Sequence, residues 1–220
     1  MCVMPIFSKT LSRMKKYHIP LIPTCYYHIF SRAVGAELLF RSRENYFYFL
    51  QKYRQYIPPV AETLCYSLLP NHFHFLIRIR PENILQQYYT EIKKGKPWKD
   101  ELAPDFVMER FSNLLNAYTK AFNNLYHRKG ALFIDYLRRV TVDKENQFSA
   151  AVFYIHKNPV HHGLCNTIQE WPYSSYHAVL SEQPTLLNRD ELLAWFGGKE
   201  QLVKFHEQPI LLKNTDYMEE

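Results

Sequence analysis

The stretch from Leu69 to Arg80 alternates between two kinds of side chain, and this alternation constrains the fold more than any other feature of the chain. One side of the pattern carries the apolar residues Phe73, Phe75, Ile77 and Ile79, and the other carries His72, His74, Leu76, Arg78 and Arg80. Such a period of two predicts a β-strand that turns one face to a core and presents polar groups on the other. Pro70-Asn71 predicts a turn, so we expect residues 61–69 to pair with this strand in a hairpin.

Two histidines lie on the polar side of the predicted strand. His72 and His74 alternate with phenylalanines, which places their Cα atoms roughly 6–7 Å apart on one face. Because a metal–imidazole bond is only about 2.1 Å long, both rings can converge on a single ion. The chain has 10 histidines, however, so some pairs are expected by chance. The pair by itself therefore leaves metal binding and a structural role open.

The composition describes a globular chain with an excess of basic residues. Its 220 residues suffice for one domain with extensions, and 47% of them are hydrophobic, which excludes global disorder. Neither G-x-G-x-x-G nor G-x-x-x-x-G-K-[ST] occurs, which argues against nucleotide-binding folds of those types. The net charge of +6 favours a polyanionic partner, nucleic acid first, with a solvated basic surface as the alternative.

The cysteines and the hydropathy pattern bear on location. The four cysteines, Cys2, Cys25, Cys65 and Cys165, are scattered without a C-x-x-C pair, so neither a structural zinc site nor a disulfide framework is predicted. We therefore expect reduced thiols in a cytoplasmic, nucleoid-associated protein. No secretory signal is evident, and no apolar run reaches about 18 residues, so no membrane partner is expected.

Periodicity and turn signals predict the order of the elements. We expect a strand at 24–30, a helix at 42–57, strands at 61–69 and 72–80, a short helix at 84–92, a long helix at 104–126, a strand-like stretch at 132–142 and a helix at 143–158. Asp143 is the expected cap of that last helix and Pro159 its end, and two further helices follow Asn188. The order predicts an α+β fold with a ferredoxin-like (split βαβ, RRM-like) antiparallel sheet. The histidine side of the sheet is then either open or covered only by the helix at 143–158.

A second informative run surrounds Tyr154 and Asn158. These two residues are spaced to share one face of a helix, so a phenol and a carboxamide would stand side by side. A tyrosine with its usual pKa of about 10 is a poor nucleophile, but a nearby divalent cation or Lys157 can favour the phenolate. The alternative is that Tyr154 only packs. The chain has 17 tyrosines, and Tyr118 is an equally good candidate on composition.

Three motifs in this order resemble those of the single-tyrosine HUH transposases, and most closely their REP-associated tyrosine transposase (RAYT) branch. The motifs are Leu69-Pro70-Asn71-His72-Phe73-His74-Phe75-Leu76-Ile77, Tyr154-Ile155-His156-Lys157-Asn158-Pro159-Val160-His161-His162-Gly163 and Trp171-Pro172-Tyr173-Ser174-Ser175-Tyr176. The resemblance runs from about Tyr27 to His177. It implies an HUH-type insertion-sequence transposase domain at 21–178, between a basic arm at 1–20 and a C-terminal helical extension at 179–220.

The resemblance also implies a chemistry for the motif residues. His72 and His74 match the family's metal ligands, Asn158 its third ligand and Tyr154 its nucleophile, with Mg²⁺ or Mn²⁺ as the ion. The implied substrate is single-stranded DNA with a hairpin, either REP-like or at an element end, cleaved and rejoined through a 5′-phosphotyrosine. His161 stands where many relatives carry Lys, and Arg32-Ala33-Val34-Gly35 departs from an arginine-glycine pair, which leaves DNA specificity open.

Several basic residues are candidates for contacts to backbone phosphates, with a solvated surface position as the alternative for each. They are Arg78, Arg80, Lys93, Lys94, Arg138, Arg139 and Lys157. One rival function is a non-catalytic nucleic-acid-binding module on an RRM-like sheet. Another is a metal-dependent hydrolase, which usually needs Asp or Glu near the histidines, and residues 66–81 contain neither. A monomer and a homodimer both stay open.

Overall fold

Four strands form one antiparallel sheet. The computed structural model describes residues 19–134 and 137–208, and most of the predicted basic arm lies outside this range. The strands are β1 (Tyr26–Arg32), β2 (Ala61–Leu69), β3 (His72–Ile79) and β4 (Arg138–Val142). Their order in the sheet is β2-β3-β1-β4, with every neighbouring pair antiparallel. The order confirms the predicted ferredoxin-like arrangement and places β3, with its histidines, in the interior of the sheet.

The helices lie on both sides of this sheet. They are α1 (Arg43–Tyr56), α2 (Glu82–Ile92), α3 (Ala103–Leu125), α4 (Glu145–His161), α5 (Tyr176–Leu180), α6 (Arg189–Phe196) and α7 (Lys199–Glu207). Helices α1 and α3 belong to the two connections of the split βαβ pattern and pack against each other on one side of the sheet. Helix α4 packs on the opposite side, against β2 and β3.

The apolar side of β3 enters the larger of two cores. Phe73, Phe75, Ile77 and Ile79 are all buried, and they cluster with residues of α1 and α3. The ring of Phe49 from α1 lies 5.2 Å from that of Phe73, and Tyr53 stacks on Phe75 at 4.4 Å. The alternation therefore assigned the two faces of β3 correctly, because burial of one face fixes the register of the strand.

The smaller core joins α4 to the other face of the sheet and to the C-terminal helices. Leu64 and Leu76 from the sheet pack with Val152 and Ile155 of α4. Leu192 of α6 and Leu202 of α7, both fully buried, complete the cluster. The predicted extension at 179–220 thus shares a core with α4 over the residues that are described.

Two element boundaries differ from the prediction. Strand β4 begins at Arg138, later than the predicted start at 132, and Leu132 and Phe133 belong to the larger core. Helix α4 begins after Lys144 rather than Asp143 and continues through Pro159 to His161. Proline removes one N–H donor, but the next turn still forms, since the backbone N–H of His162 donates to the Asn158 carbonyl at 3.0 Å.

The Trp-Pro-Tyr-Ser-Ser-Tyr motif has a structural role in covering the free edge of β2. The Trp171 indole donates to the Leu68 carbonyl at 2.9 Å. The Leu68 N–H donates to the Tyr173 carbonyl, and the Ser175 N–H donates to the Tyr66 carbonyl, each at 2.9 Å. An exposed edge strand invites pairing with other chains, so the motif protects the sheet where the hairpin leaves it open.

The cysteines and the helix lengths complete the comparison with the sequence. Cys65 and Cys165 are free thiols, but Cys25 is disulfide-bonded, so the expectation of reduced thiols is wrong for Cys25. Burial raises the pKa of the Cys65 thiol beyond its usual range. None of the helices in the described residues is long and apolar enough to cross a membrane.

A chain of buried hydrogen bonds ties α4 to α7 and to the edge motif. The His206 Nδ1–H donates to the Leu202 carbonyl at 2.8 Å, which leaves His206 Nε2 to accept from His156 Nδ1–H at 3.0 Å. His156 Nε2 then accepts from the Ser175 hydroxyl at 2.9 Å, and that hydroxyl oxygen accepts from the Tyr66 N–H at 2.8 Å. With both imidazoles neutral, each donor in this chain has an acceptor. Burial lowers the pKa of both histidines, and that of His156 falls well below its ordinary value.

This chain predicts that acid destabilises the fold. Because the pKa of His156 is lower in the folded state, the unfolded chain binds a proton below about pH 6.5 that the folded chain does not, and stability falls as the pH drops. From pH 7.5 to 5.5, His156 alone contributes a loss of about 1 kcal/mol in the free energy of unfolding, measurable by denaturant titration. His156→Gln lowers stability at pH 7.5 by roughly 1–3 kcal/mol but makes the pH dependence shallower.

The exposed His127 provides the matched control. His127→Asn should leave the pH dependence of stability unchanged, because the His127 side chain is exposed. Asparagine also tolerates the positive φ of 51° at this position, so the backbone is not strained. A pH dependence in His156→Gln as steep as that of the wild type contradicts the assignment.

Candidate active site

The side of the sheet that α4 covers carries the histidines. The register places His72 of β3 opposite Arg32 of β1, and His74 opposite Phe30. His28 lies on the same face, two residues before Phe30. Tyr154 and Asn158, one turn apart on α4, are buried against this face. We call this surface the histidine face.

His72 and Asn158 meet directly. His72 Nε2 lies 3.0 Å from Asn158 Oδ1, and His72 Nδ1 lies 2.7 Å from Asn71 Oδ1. A neutral imidazole has one proton. When Nδ1–H donates to the Asn71 oxygen, Nε2 is left with a lone pair directed at the same space as the Asn158 oxygen. Two electron pairs that face one point are a favourable arrangement for a cation.

His74 and Tyr154 form the other half of the site. Their rings are perpendicular, with centroids 5.3 Å apart. His74 Nδ1 lies 2.9 Å from His28 Nε2, whereas His74 Nε2 is buried without a hydrogen-bond partner. The Asn158 Nδ2 group is likewise buried and unpaired. Buried polar atoms are nearly always satisfied in folded proteins, so these orphan atoms mark a place for a ligand.

Burial keeps His74 and His28 uncharged. Burial lowers the pKa of His74 well below its ordinary value, and the neighbouring His28, His72 and His162 lower it further. Burial lowers the pKa of His28 to about 3. Neutral imidazole is the form that binds metal ions. The imidazole of His74 is therefore in its metal-binding form near neutral pH.

The donor set fits a small divalent cation. Ligands on adjacent corners of an octahedron with bonds of about 2.1 Å are separated by about 3.0 Å, which matches the distance of 3.0 Å between His72 Nε2 and Asn158 Oδ1. Imidazole and carboxamide ligands with open positions suit Mg²⁺ or Mn²⁺. Within residues 19–134 and 137–208, no group of three or more His, Cys, Asp or Glu side chains is placed to bind a metal.

Tyr118 does not belong to the site. It lies on α3, on the opposite side of the sheet, and its hydroxyl donates to the Leu39 carbonyl. Burial raises its pKa above the ordinary value. Of the two tyrosines that composition left equal, the structure brings only Tyr154 to the histidines.

Sequence reasoning missed two neighbours of the site. His28 was passed over as a single histidine in the first strand, although the predicted antiparallel pairing of β1 with β3 was a signal that could have found it. His162 lies just beyond α4, and its ring centroid is 4.8 Å from that of His72. The sequence wrongly predicted that α4 ends before Pro159, so a contact between His162 and His72 was not expected.

The predicted phosphate contacts are dispersed rather than gathered around the site. The Arg78 side chain contacts the carboxylates of Glu62, through its Nε at 2.7 Å, and of Glu191, through its Nη2 at 2.9 Å. Arg80 also pairs with Glu62, at 2.9 Å. These arginines are neutralised within the protein, so the expected track of Arg78 and Arg80 along the histidine face does not fit the structure.

The remaining cations occupy four different environments. Lys93 pairs with Glu109 of α3 at 2.6 Å, and Lys94 is exposed beside it, both remote from the histidine face. Lys157 is half-buried on α4, and its charge adds to the burial that lowers the pKa of His206. Arg138 is opposite Phe30 and therefore on the histidine face.

Arg139 points to the other side of the sheet and is buried there, with 7% of its surface exposed. Its guanidinium donates to the Ile19 carbonyl and to the Leu137 carbonyl at 3.3 Å. Burial lowers its pKa. The proposed phosphate contact is therefore wrong for Arg139, because no phosphate can reach a guanidinium that is enclosed by backbone carbonyls.

We predict that Arg139 contributes to stability instead. Arg139→Ala should lower the free energy of unfolding by roughly 1–3 kcal/mol, because the Ile19 and Leu137 carbonyls lose a buried donor. Lys94→Ala, the exposed control, should stay within about 0.5 kcal/mol of the wild type. Equal stabilities of the two variants in a denaturant titration would show that the buried contacts of Arg139 are not formed.

One curated protein and one solved structure are similar to the chain. No family model matches the chain. A curated protein of Haemophilus influenzae named "Putative REP-associated tyrosine transposase" is 30% identical over 122 residues, which cover 53% of this chain and 59% of the relative. The chain thus spans less than two thirds of that relative. A solved structure of a REP-associated tyrosine transposase bound to a REP hairpin matches with a TM-score of 0.52 at 18% identity, over 78% of this chain and 89% of the other. The predicted resemblance is confirmed: the chain is similar in sequence to a REP-associated tyrosine transposase and shares the fold of a solved one.

Proposed function

We propose that the protein is a metal-dependent tyrosine transposase that cleaves and rejoins single-stranded, hairpin-bearing DNA through a 5′-phosphotyrosine. The observation that supports this most directly is the placement of Tyr154 and Asn158 on α4 against His72 and His74 of β3. A phenol, a carboxamide oxygen and two imidazoles converge there from elements far apart in sequence. A tyrosine that only packs would not need the orphan atoms of His74 and Asn158 beside it.

Tyr154 is the nucleophile in this proposal. Its oxygen attacks the phosphorus, the O–P bond to tyrosine forms, and the bond from phosphorus to the 3′-oxygen breaks. The phenol loses its proton, and the departing 3′-oxygen takes one up. The phosphodiester bond energy is kept in the phosphotyrosine, so attack by another 3′-hydroxyl rejoins the strand without a nucleotide cofactor, which is consistent with the missing phosphate-binding loop.

His72, His74 and Asn158 would hold the divalent cation. When bound, the cation stabilises the negative charge that develops on the phosphoryl oxygens and favours ionisation of the tyrosine. The protein prepares for this by burying His74 as a neutral ligand and by covering that side of the sheet with α4. Mg²⁺ and Mn²⁺ both suit this donor set.

DNA binding in this proposal uses the cations that border the histidine face. Arg32 is exposed and stands opposite His72, and Arg138 lies on the same face of β4. Backbone phosphates are bound mainly by such cations, and the overall charge of +6 draws the strand to the protein. The hairpin is proposed as the substrate because the solved structure with this fold is bound to a REP hairpin.

The nucleophile is tested by a nicking assay on hairpin-bearing single-stranded DNA with Mn²⁺. Tyr154→Phe should abolish both cleavage and the covalent protein–DNA band while DNA affinity stays within about twofold, because only the attacking oxygen is lost. Tyr118→Phe is the control, and it should retain the covalent band. Loss of the band in Tyr118→Phe but not in Tyr154→Phe contradicts the assignment. Wild-type binding without any cleavage would instead support the non-catalytic nucleic-acid-binding module.

The phosphate contact of Arg32 is tested by the salt dependence of binding. Arg32→Ala should weaken single-stranded DNA binding several-fold and reduce the slope of log affinity against log salt by about 0.7, the contribution of a single phosphate contact. Arg80→Ala, which removes a cation already paired with Glu62, should leave that slope unchanged. Fluorescence anisotropy at several salt concentrations measures both. A reduced slope for Arg80→Ala together with an unchanged slope for Arg32→Ala would support a phosphate contact of Arg80 and exclude one of Arg32.

A further inference from the structure

His28 is neither a metal ligand nor the nucleophile in the proposed function, yet it contacts residues that have these roles. It lies on β1, next to β3 in the sheet, and has 1% of its surface exposed. Its Nε2 lies 2.9 Å from His74 Nδ1, and the two rings are stacked with centroids 5.0 Å apart and planes inclined by 22°. Its ring also lies 5.8 Å from that of Tyr154. His28 therefore contacts a proposed ligand and the proposed nucleophile at once.

A hydrogen bond between two neutral imidazoles contains one proton, so two arrangements are possible. In the first, His74 Nδ1–H donates to His28 Nε2, and the lone pair of His74 Nε2 is free. In the second, His28 Nε2–H donates to His74 Nδ1, and His74 Nε2 carries a proton. Only the first arrangement lets His74 bind a cation through Nε2, the buried atom that lacks a partner.

We infer that His28 is a positioning residue for His74: it accepts the Nδ1–H hydrogen bond and thereby fixes both the tautomer and the ring orientation that present Nε2 as a ligand. This inference rests on the proposed metal site. Histidine ligands are commonly oriented by an acceptor on their second nitrogen, a carboxylate or a carbonyl. The described residues around His74 offer a third kind of acceptor, the neutral nitrogen of another histidine.

The fold explains why a histidine can fill this position. The register places Phe30, not His28, directly opposite His74, so the side chain at position 28 must reach diagonally along the sheet. Phe30 stacks on His28 at 5.2 Å and lies 5.7 Å from His74, which limits rotation of both imidazoles. The aromatic wall and the hydrogen bond together restrict His74 to one orientation before any cation arrives.

Two variants separate the hydrogen bond from the packing. His28→Phe keeps an aromatic ring on β1 but removes the acceptor. His28→Gln supplies an amide oxygen at about the position of Nε2 and retains the acceptor. If His28 acts as inferred, His28→Phe should weaken Mn²⁺ binding about 10–100-fold, whereas His28→Gln should stay within a few-fold of the wild type. Titration of the full chain with Mn²⁺, followed by electron paramagnetic resonance of the free ion, measures this.

A second measurement needs neither a variant nor a metal. Nitrogen-15 NMR of the imidazoles in the metal-free wild type should show His74 protonated at Nδ1 and unprotonated at Nε2. A proton on His74 Nε2 would overturn the inference, and so would equal Mn²⁺ affinity of the wild type and a folded His28→Phe.

Different results would contradict the proposed metal site and the role of His28. Absence of Mn²⁺ binding by the wild type contradicts the proposed metal site, and the tautomer of His74 still decides the role of His28. Tight binding by the wild type with the wrong tautomer removes the role of His28 and leaves the metal site in place.

Discussion

The packing of α4 onto the histidine face is the interaction on which the rest of the site depends. Leu76 of β3 and Ile155 of α4 are both fully buried in the core between them. Ile155 sits next to Tyr154 in the helix, so the apolar contact that docks α4 also sets the position of the phenol. Asn158 follows one turn later and meets His72. The same helix is tied from behind by the hydrogen bond between His156 and His206. Helix α4 is therefore fixed on both sides, by the sheet and by α7.

This arrangement gives the site two different surroundings. His74 is enclosed by aromatic rings from β1 and α4 and is kept neutral by burial. His72 is only half-buried and lies toward the exposed Arg32 at the end of the strand. A DNA strand would thus approach from the side of His72 and Arg32, while His74 and Tyr154 form the inner end of the site. Hydrogen bonds shielded from water are stronger than exposed ones. This favours a fixed orientation of the His74 side chain at the inner end.

The part of the site that follows from local patterns could be predicted from the sequence. Alternation across β3 assigned Phe73 to the core and His74 to the opposite face, because the period of a strand is fixed by its geometry. The spacing of Tyr154 and Asn158 placed them on one face of a helix for the same reason. The strand order followed from the order of the elements, since few topologies connect them without crossing.

What could not be predicted depends on pairing between distant elements. The sequence predicted Arg78 as a phosphate contact, but folding brings Glu62 and Glu191 to it. Arg139 alternates with its neighbours as any strand residue does, and only the packing of the segment around Ile19 shows that it is enclosed. His28 needed the pairing of β1 with β3 to become visible. The sequence predicted that α4 ends at Pro159. The hydrogen bonds that continue the helix beyond this proline are not encoded in the local pattern, so the prediction was wrong.

We propose that the histidine face and α4 together make Tyr154 the residue that becomes covalently attached to DNA. The most direct measurement is mass spectrometry of the covalent complex after trypsin digestion. The expected peptide, residues 145–157, contains Tyr154 as its only tyrosine. The account predicts that this peptide carries the mass of the 5′-phosphorylated DNA fragment. Attachment to any other tyrosine peptide, or efficient cleavage with no attached DNA, would contradict it.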